Sequence, residues 1–134
     1  MVSDGQWKEL RDSAIGMIPR AYAPYSGYPV GAAGLTPDGR VVTGCNVENV
    51  SYGLGICAEV ALIAQLVSGG ERTLDAVSVS DARGAVLMPC GRCRQVLLEH
   101  GGPELLVDHP DGPRRLGELL PDAFGPDDLA AVRS

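Results

Sequence analysis

The sequence predicts an α/β sandwich built on a mixed sheet, and three observations carry that prediction. Val30–Leu35 and Val41–Val47 read as two strands around Thr36-Pro37-Asp38-Gly39, whose Asp-Gly pair is a strong hairpin signal. Helix-like and strand-like segments then alternate from residue 58 to residue 120. No linker, internal repeat or low-complexity segment interrupts the chain, so residues 1–134 read as one domain.

The elements follow in order. Between residues 4 and 21, Trp7, Leu10, Ala14, Met17, Ile18 and Ala21 recur at the spacing of a helix with one buried stripe. Ser3 or Asp4 can cap it, and Pro19 falls near its end. Residues 22–29, with two prolines and three tyrosines, form a loop. Residues 58–68 form the clearest helix; it has almost no polar face, so it is expected to be central and buried. Gly69-Gly70 ends it. Ala76–Ser80 and Val86–Met88 have strand character, Cys93–His100 reads as a helix stopped by Gly101-Gly102, Glu104–Asp108 as a strand, and Leu116–Leu120 as a helical turn before Pro121.

Composition narrows the function. Hydrophobic residues make up 45% and charged residues 21%, ordinary for a globular domain. A formal net charge of -6 with no long basic stripe is a poor match to a phosphate backbone, so no nucleic-acid partner is expected. No basic segment followed by an apolar run opens the chain, and its most apolar stretch, Val60–Val67, is far shorter than the ~20 residues a membrane span needs. A cytoplasmic location with no membrane partner is the expectation. In a reducing compartment, closely spaced cysteines point to metal or chemistry rather than disulfides.

Those cysteines are Cys57 in Cys57-Ala58-Glu59 and the pair in Pro89-Cys90-Gly91-Arg92-Cys93. Three protein ligands leave one position of a tetrahedral zinc open, as a catalytic site requires. Cys90 and Cys93, three apart on a helix's first turn, share one side. Both motifs lie at helix starts, where backbone N–H groups favour thiolates. Cys57 is expected at the cap itself, so that Glu59 turns toward the metal-bound water and serves as its general base and acid. Three thiolates give the site a net charge of -1, which weakens the metal as a Lewis acid; the helix N–H groups and Arg94 are the candidates to offset it. Cys45, a possible fourth ligand, sits in a strand with no partner at ligand spacing and reads as an inert thiol. His100 and His109 are not at ligand spacing either. Pro-Cys-x-x-Cys alone would read as a structural zinc site; the Cys-Ala-Glu motif tips the reading to catalysis.

Together, Cys57-Ala58-Glu59 and Pro89-Cys90-Gly91-Arg92-Cys93-Arg94-Gln95 closely resemble cytidine deaminases of the small, homotetrameric class. The likeness runs from about Trp7 to Phe124, leaving a tail at 125–134. It also covers Ala21-Tyr22-Ala23-Pro24-Tyr25-Ser26, Pro29-Val30-Gly31-Ala32-Ala33 and Gly44-Cys45-Asn46-Val47-Glu48-Asn49. The resemblance implies a three-layer α/β/α sandwich with a five-stranded mixed sheet, one zinc per subunit and a homotetramer with active sites shared between subunits. It also implies hydrolysis of cytidine and deoxycytidine to uridine and deoxyuridine plus ammonia, within pyrimidine salvage. The roles of metal, water and glutamate carry over from zinc deaminases in general.

The resemblance assigns the sugar to Asn46 and Glu48. The chemistry agrees, because alternate residues of an extended strand share a face and an amide beside a carboxylate can bind adjacent hydroxyls. Tyr28 stands where the family usually has a phenylalanine against the base, and can stack equally well. The backbone of Ala58 matches the position that meets the edge of the base, and Tyr52 and Phe124 match aromatics that complete the site from neighbouring subunits. One departure is Val60, where many members carry an arginine that offsets the thiolate charge; here compensation shifts to Arg94 and the backbone. Three rivals remain at this point: a deaminase of a blasticidin-type nucleoside, a deaminase of a base within a polynucleotide, and a zinc protein whose site only staples the fold.

Overall fold

The computed structural model describes residues 1–133. Helix α1 (Asp4–Gly16) begins with a full capping box: Ser3 Oγ accepts from the Gln6 N–H, and the Gln6 side chain accepts from the Ser3 N–H. It is shorter than the 4–21 periodicity suggests. The chain tightens into a 3₁₀ turn over Ile18–Arg20, because Pro19 has no N–H to continue the α-helical ladder.

Five strands follow in the chain: β1 (Gly31–Leu35), β2 (Val41–Cys45), β3 (Ala76–Ser80), β4 (Leu106–Val107) and β5 (Arg114–Arg115). They lie in the order β2-β1-β3-β4-β5. The β1–β2 hairpin pairs Gly31 with Cys45 and Leu35 with Val41, and Gly39, at φ 87°, turns the chain between them. β3 pairs antiparallel to β1 and parallel to β4, and β5 returns antiparallel to β4, so the sheet is mixed as expected.

The sheet's two faces are read off by alternation. Ala33, Leu35 and Ala76 face α1 and pack on Trp7, Leu10 and Ala14. Ala32, Val77 and Val79 face the opposite layer, formed by α2 (Ala58–Ser68) and α3 (Gly91–Gly101), and pack with Leu62, Leu66 and Leu97. This is the α/β/α sandwich. Under α1, the fully buried Asp108 accepts from Arg11 Nε and Nη2, both at 2.8 Å, and from Ser78 Oγ at 2.7 Å, so its charge is paired.

Several expectations are corrected. Val86–Met88 form no strand; Val86 makes one isolated bridge to Ser80. β4 covers only Ala76 and Val77 of that edge of β3, and beyond it the 86–88 segment makes just this bridge and a hydrogen bond from the Leu87 N–H to the Val79 carbonyl at 2.8 Å, too few for a ladder. Glu104–Asp108 contracts to the two residues of β4, and the second strand ends at Cys45, with Val47 in isolated bridges to Tyr22 and Ile56. α3 starts at Gly91, before Cys93. α2 has the expected bounds, but Ala64 and Gln65 are exposed, so it is buried on one face only. α4 (Leu116–Leu119) is the expected turn of helix, whereas β5 and α5 (Pro126–Arg133) lie where no element was read.

Candidate active site

Two helices start side by side on the same layer, and the cysteines are their caps. Cys57 is the N-cap of α2 (φ -76°, ψ 160°) and Cys90 the N-cap of α3 (φ -65°, ψ 167°). Cys93 sits in the first turn of α3 and is fully buried. The extended backbone at each cap turns the thiol away from the helix surface and toward the other helix start. Cys57 Sγ lies 3.9 Å from Cys90 Sγ, and all three sulfurs are within 4.8 Å of one another. A disulfide would need about 2.05 Å. Tetrahedral zinc with bonds of about 2.3 Å holds its sulfurs about 3.8 Å apart, so the cluster fits that ion. Among the described residues no other group of three Cys, His, Asp or Glu side chains converges in this way.

The residues set aside in the sequence are occupied elsewhere. Cys45 is a half-buried free thiol on β2. His100 Nδ1 lies 2.8 Å from the Arg72 carbonyl, and His109 Nδ1 accepts from the Asp111 N–H.

Glu59 follows Cys57 by two residues and is 4% exposed. Burial pushes its carboxyl up from the ordinary range, opposed in part by its own N–H and by the Cys93 thiol. Burial likewise raises the Cys57 and Cys93 thiols. Cys90 differs: burial raises it, but the Cys93 N–H directed at its sulfur, with donation from Cys93 and Cys57, brings it below its usual value. The metal-free cluster therefore ionises first at the α3 cap.

Glu59 and two of the cysteines form one end of a cleft of about 390 Å³. Tyr28, Asn46, Glu48, Tyr52 and Ala58 line the same cleft, so nearly all of the substrate-binding residues read from the sequence meet there. Asn46 is held by loop 22–30: its Oδ1 accepts from the Val30 N–H at 2.8 Å and its Nδ2 donates to the Tyr28 carbonyl at 3.0 Å. Glu48 is held by the same loop, accepting from the N–H groups of Tyr25 and Ser26 and from the Ser26 hydroxyl. Tyr52 is 82% exposed and its ring lies 6.2 Å from that of Tyr25.

Phe124 is not in this cleft. It lies with Gln95 and Glu99 in a different hollow, where its carbonyl accepts from Gln95 Nε2. Arg94 sits behind α3's first turn; its Nε donates to the Pro89 carbonyl and its Nη1 to the Leu119 carbonyl, both at 2.7 Å. Ser26 and Met88 also line the cleft and were not singled out in the sequence. Ser26 had a signal, since Ser-Gly is a turn dipeptide and Gly27 takes the left-handed φ of 65°.

The chain matches the family model of the cytidine and deoxycytidylate deaminase zinc-binding region over residues 6–108. It is 63% identical over 130 residues to a cytidine deaminase of Mycobacterium tuberculosis, covering 97% of this chain and 98% of that one. A crystal structure of cytidine deaminase from Mycobacterium tuberculosis superposes with a TM-score of 0.87 at 65% identity, over 89% of this chain and 97% of that one. Cytidine deaminase from Mycobacterium leprae superposes with a TM-score of 0.84 at 51% identity, over 87% and 98% of the two chains. With three thiols spaced for zinc beside a buried glutamate, and these similarities over almost its whole length, the chain belongs to the cytidine and deoxycytidylate deaminase family.

Proposed function

We propose that the protein hydrolyses cytidine and deoxycytidine to uridine and deoxyuridine, releasing ammonia. The observation that carries this reading is the convergence of three thiols and buried Glu59 at one end of a cleft whose wall presents Asn46, Glu48 and Tyr28. Cys57, Cys90 and Cys93 would hold a zinc ion, which would supply Lewis-acid activation of water. Glu59 takes one proton from the attacking water and passes it to ring N3, then takes the second from the new C4 hydroxyl and passes it to the departing amino group as the C4–N bond breaks. Its burial favours the protonated carboxyl, the state needed for the second half of that shuttle. Asn46 and Glu48 orient the sugar, the Ala58 backbone meets the edge of the base, and Tyr28 stacks on its face.

The same reading makes the protein a homotetramer with Tyr52 and Phe124 acting across subunits, in the cytoplasm and in pyrimidine salvage. The sharing between subunits is supported by the exposure of Tyr52 (82%) and Phe124 (65%) and by Phe124 lining a different hollow from its own chain's cleft. No helix among the described residues is long and apolar enough to cross a membrane.

The test adds cytidine and follows ultraviolet absorbance and ammonia release, with metal analysis alongside. Glu59→Gln is expected to keep its fold and zinc while losing nearly all turnover. A fully active Glu59→Gln refutes the shuttle, and a flat trace from zinc-loaded wild type on both nucleosides refutes the function.

A further inference from the structure

Glu48 reaches the cleft with most of its hydrogen-bonding capacity already used. An ionised carboxylate offers about four acceptor positions. Oε1 takes two N–H groups, from Tyr25 and Ser26, each at 3.0 Å. Oε2 takes the Ser26 hydroxyl. One position, on Oε2, is left for a substrate. These contacts hold the Glu48 carboxyl below its ordinary range, the Ser26 hydroxyl contributing most.

The Ser26 hydroxyl faces two ways. It donates to Glu48 and accepts the Tyr28 N–H at 3.0 Å. Gly27 makes this possible: at φ 65° it folds the loop back, with its own N–H on the Ala23 carbonyl at 2.9 Å. On the far side of Tyr28, Asn46 holds the Tyr28 carbonyl and the Val30 N–H. The peptide groups on both sides of the stacking ring are thus tied to the two residues assigned to the sugar.

We propose that Ser26 is a positioning residue of the substrate site: its hydroxyl leaves Glu48 room for a single sugar hydroxyl and sets the Tyr28 ring relative to that oxygen. This rests on the nucleoside reading above. Ser26 touches neither the thiol cluster nor Glu59 in any hydrogen bond described, so its influence falls on sugar recognition and not on the proton shuttle. Without the hydroxyl, Oε2 gains an empty position, the carboxylate loses a charge-assisted bond, and the substrate must order both Glu48 and Tyr28 as it binds.

The experiment compares cytidine with 2′,3′-dideoxycytidine, which lacks both ring hydroxyls, on zinc-loaded wild type, Ser26→Ala and Ser26→Thr. Ser26 is exposed, so the variants are expected to fold. For Ser26→Ala, KM for cytidine rises about tenfold while kcat moves less than about twofold, as expected for one charge-assisted contact used in binding. The cytidine preference, as a ratio of kcat/KM values, shrinks severalfold, because both nucleosides must then order Tyr28 but only cytidine loses a contact to Glu48. Ser26→Thr, which keeps the hydroxyl, restores both. If cytidine and dideoxycytidine fall equally, or neither falls, or threonine fails to rescue, Ser26 only braces the loop and the proposal is overturned. Wild type inactive on cytidine would overturn the nucleoside reading itself, a result distinct from an active wild type with an unchanged ratio.

Discussion

Gly44 is the position where one added methyl group reaches the catalytic centre through packing alone. It lies on β2 against the first turns of α2, the helix that carries Cys57 and Glu59. A Cβ at this position would stand 2.4 Å from the Ala58 carbonyl oxygen, 2.4 Å from the Leu62 nitrogen and 2.9 Å from Leu62 Cα. All three are backbone atoms, so no side-chain rotation relieves the contact. Restoring ordinary separation requires α2 to withdraw by about 1 Å. Overpacking of this kind costs about 1–3 kcal/mol, which for a chain of this size lowers Tm by about 4–12 °C. The withdrawal also widens the 3.9 Å gap between Cys57 and Cys90. Two zinc–sulfur bonds of about 2.3 Å span at most about 4.6 Å, so a displacement of that size brings the pair to the limit of what one ion bridges. Gly44→Ala is therefore expected to lose zinc to a chelator faster and to turn over about a hundredfold more slowly even when reloaded. Gly5→Ala in α1 is the matched control. Its Cβ meets nothing closer than Ser3 Oγ at 3.9 Å, and it should gain about 0.5–1 kcal/mol with zinc and kcat unchanged. Calorimetric unfolding, metal analysis and steady-state kinetics on both variants check this. A Gly44→Ala protein with wild-type Tm, full zinc and unchanged kcat would refute the reasoning.

Two further outcomes follow from the electrostatics of the site. Arg94→Ala should release zinc to a competing chelator faster than Arg92→Ala, because Arg94 adds positive charge behind the cluster and holds the Pro89 carbonyl next to Cys90, whereas Arg92 is exposed; equal and negligible effects on both would sink this assignment. Zinc loading of the metal-free protein at pH 7 should release about two protons or more per ion, because Cys57 and Cys93 are raised by burial and keep their protons until metal displaces them. The sign is that affinity rises with pH, and calorimetry in buffers of different ionisation enthalpy reads the count; release of fewer than two would show that the buried thiols are already ionised.

Legibility in the sequence varied with how locally each feature is determined. α2 and β3 have the bounds read from the chain, because a run of apolar residues ends at Gly69-Gly70 in one case and Val77 and Val79 alternate with Ser78 and Ser80 at strand period in the other. α3 begins two residues before the Cys93 start that the sequence suggests, because cysteine is not a usual cap and only the structure shows Cys90 in that role. β5 consists of Arg114 and Arg115, whose strand state is imposed by β4 and not by any apolar alternation. Val86–Met88 fails for the opposite reason: its propensity is sound, but it meets β3 only at Ser80 and Val79, one bridge and one hydrogen bond that do not extend into a ladder. α5 carries a local signal of its own, Pro126 at the first position with Asp127 and Asp128 in the first turn. At the site, ligand spacing and the Cys-Ala-Glu motif were local and therefore readable. The link from Ser26 to Glu48 spans 22 positions and depends on how a loop folds back, which no spacing rule encodes.

The caps reveal how stability and function are divided among the helices. α1, which carries no site residue, starts with a complete capping box. α2 and α3 start with cysteines that make no side-chain capping hydrogen bond; the Cys93 N–H points toward the Cys90 sulfur without closing one. Against a serine or aspartate, each such start forgoes about 0.5–2 kcal/mol. The open N–H groups are not wasted, because unpaired donors at two converging helix starts favour negative charge where three thiolates must gather. Arg94 braces the same start from behind by bonding the carbonyl just before the α3 cap, and the chelator comparison above tests whether its charge adds to that of the backbone. The cost in helix stability and the tolerance for three thiolates at one ion therefore arise from the same two residues, Cys57 and Cys90. Metal binding, which becomes folding free energy when the ligands sit at helix starts, is what offsets the loss.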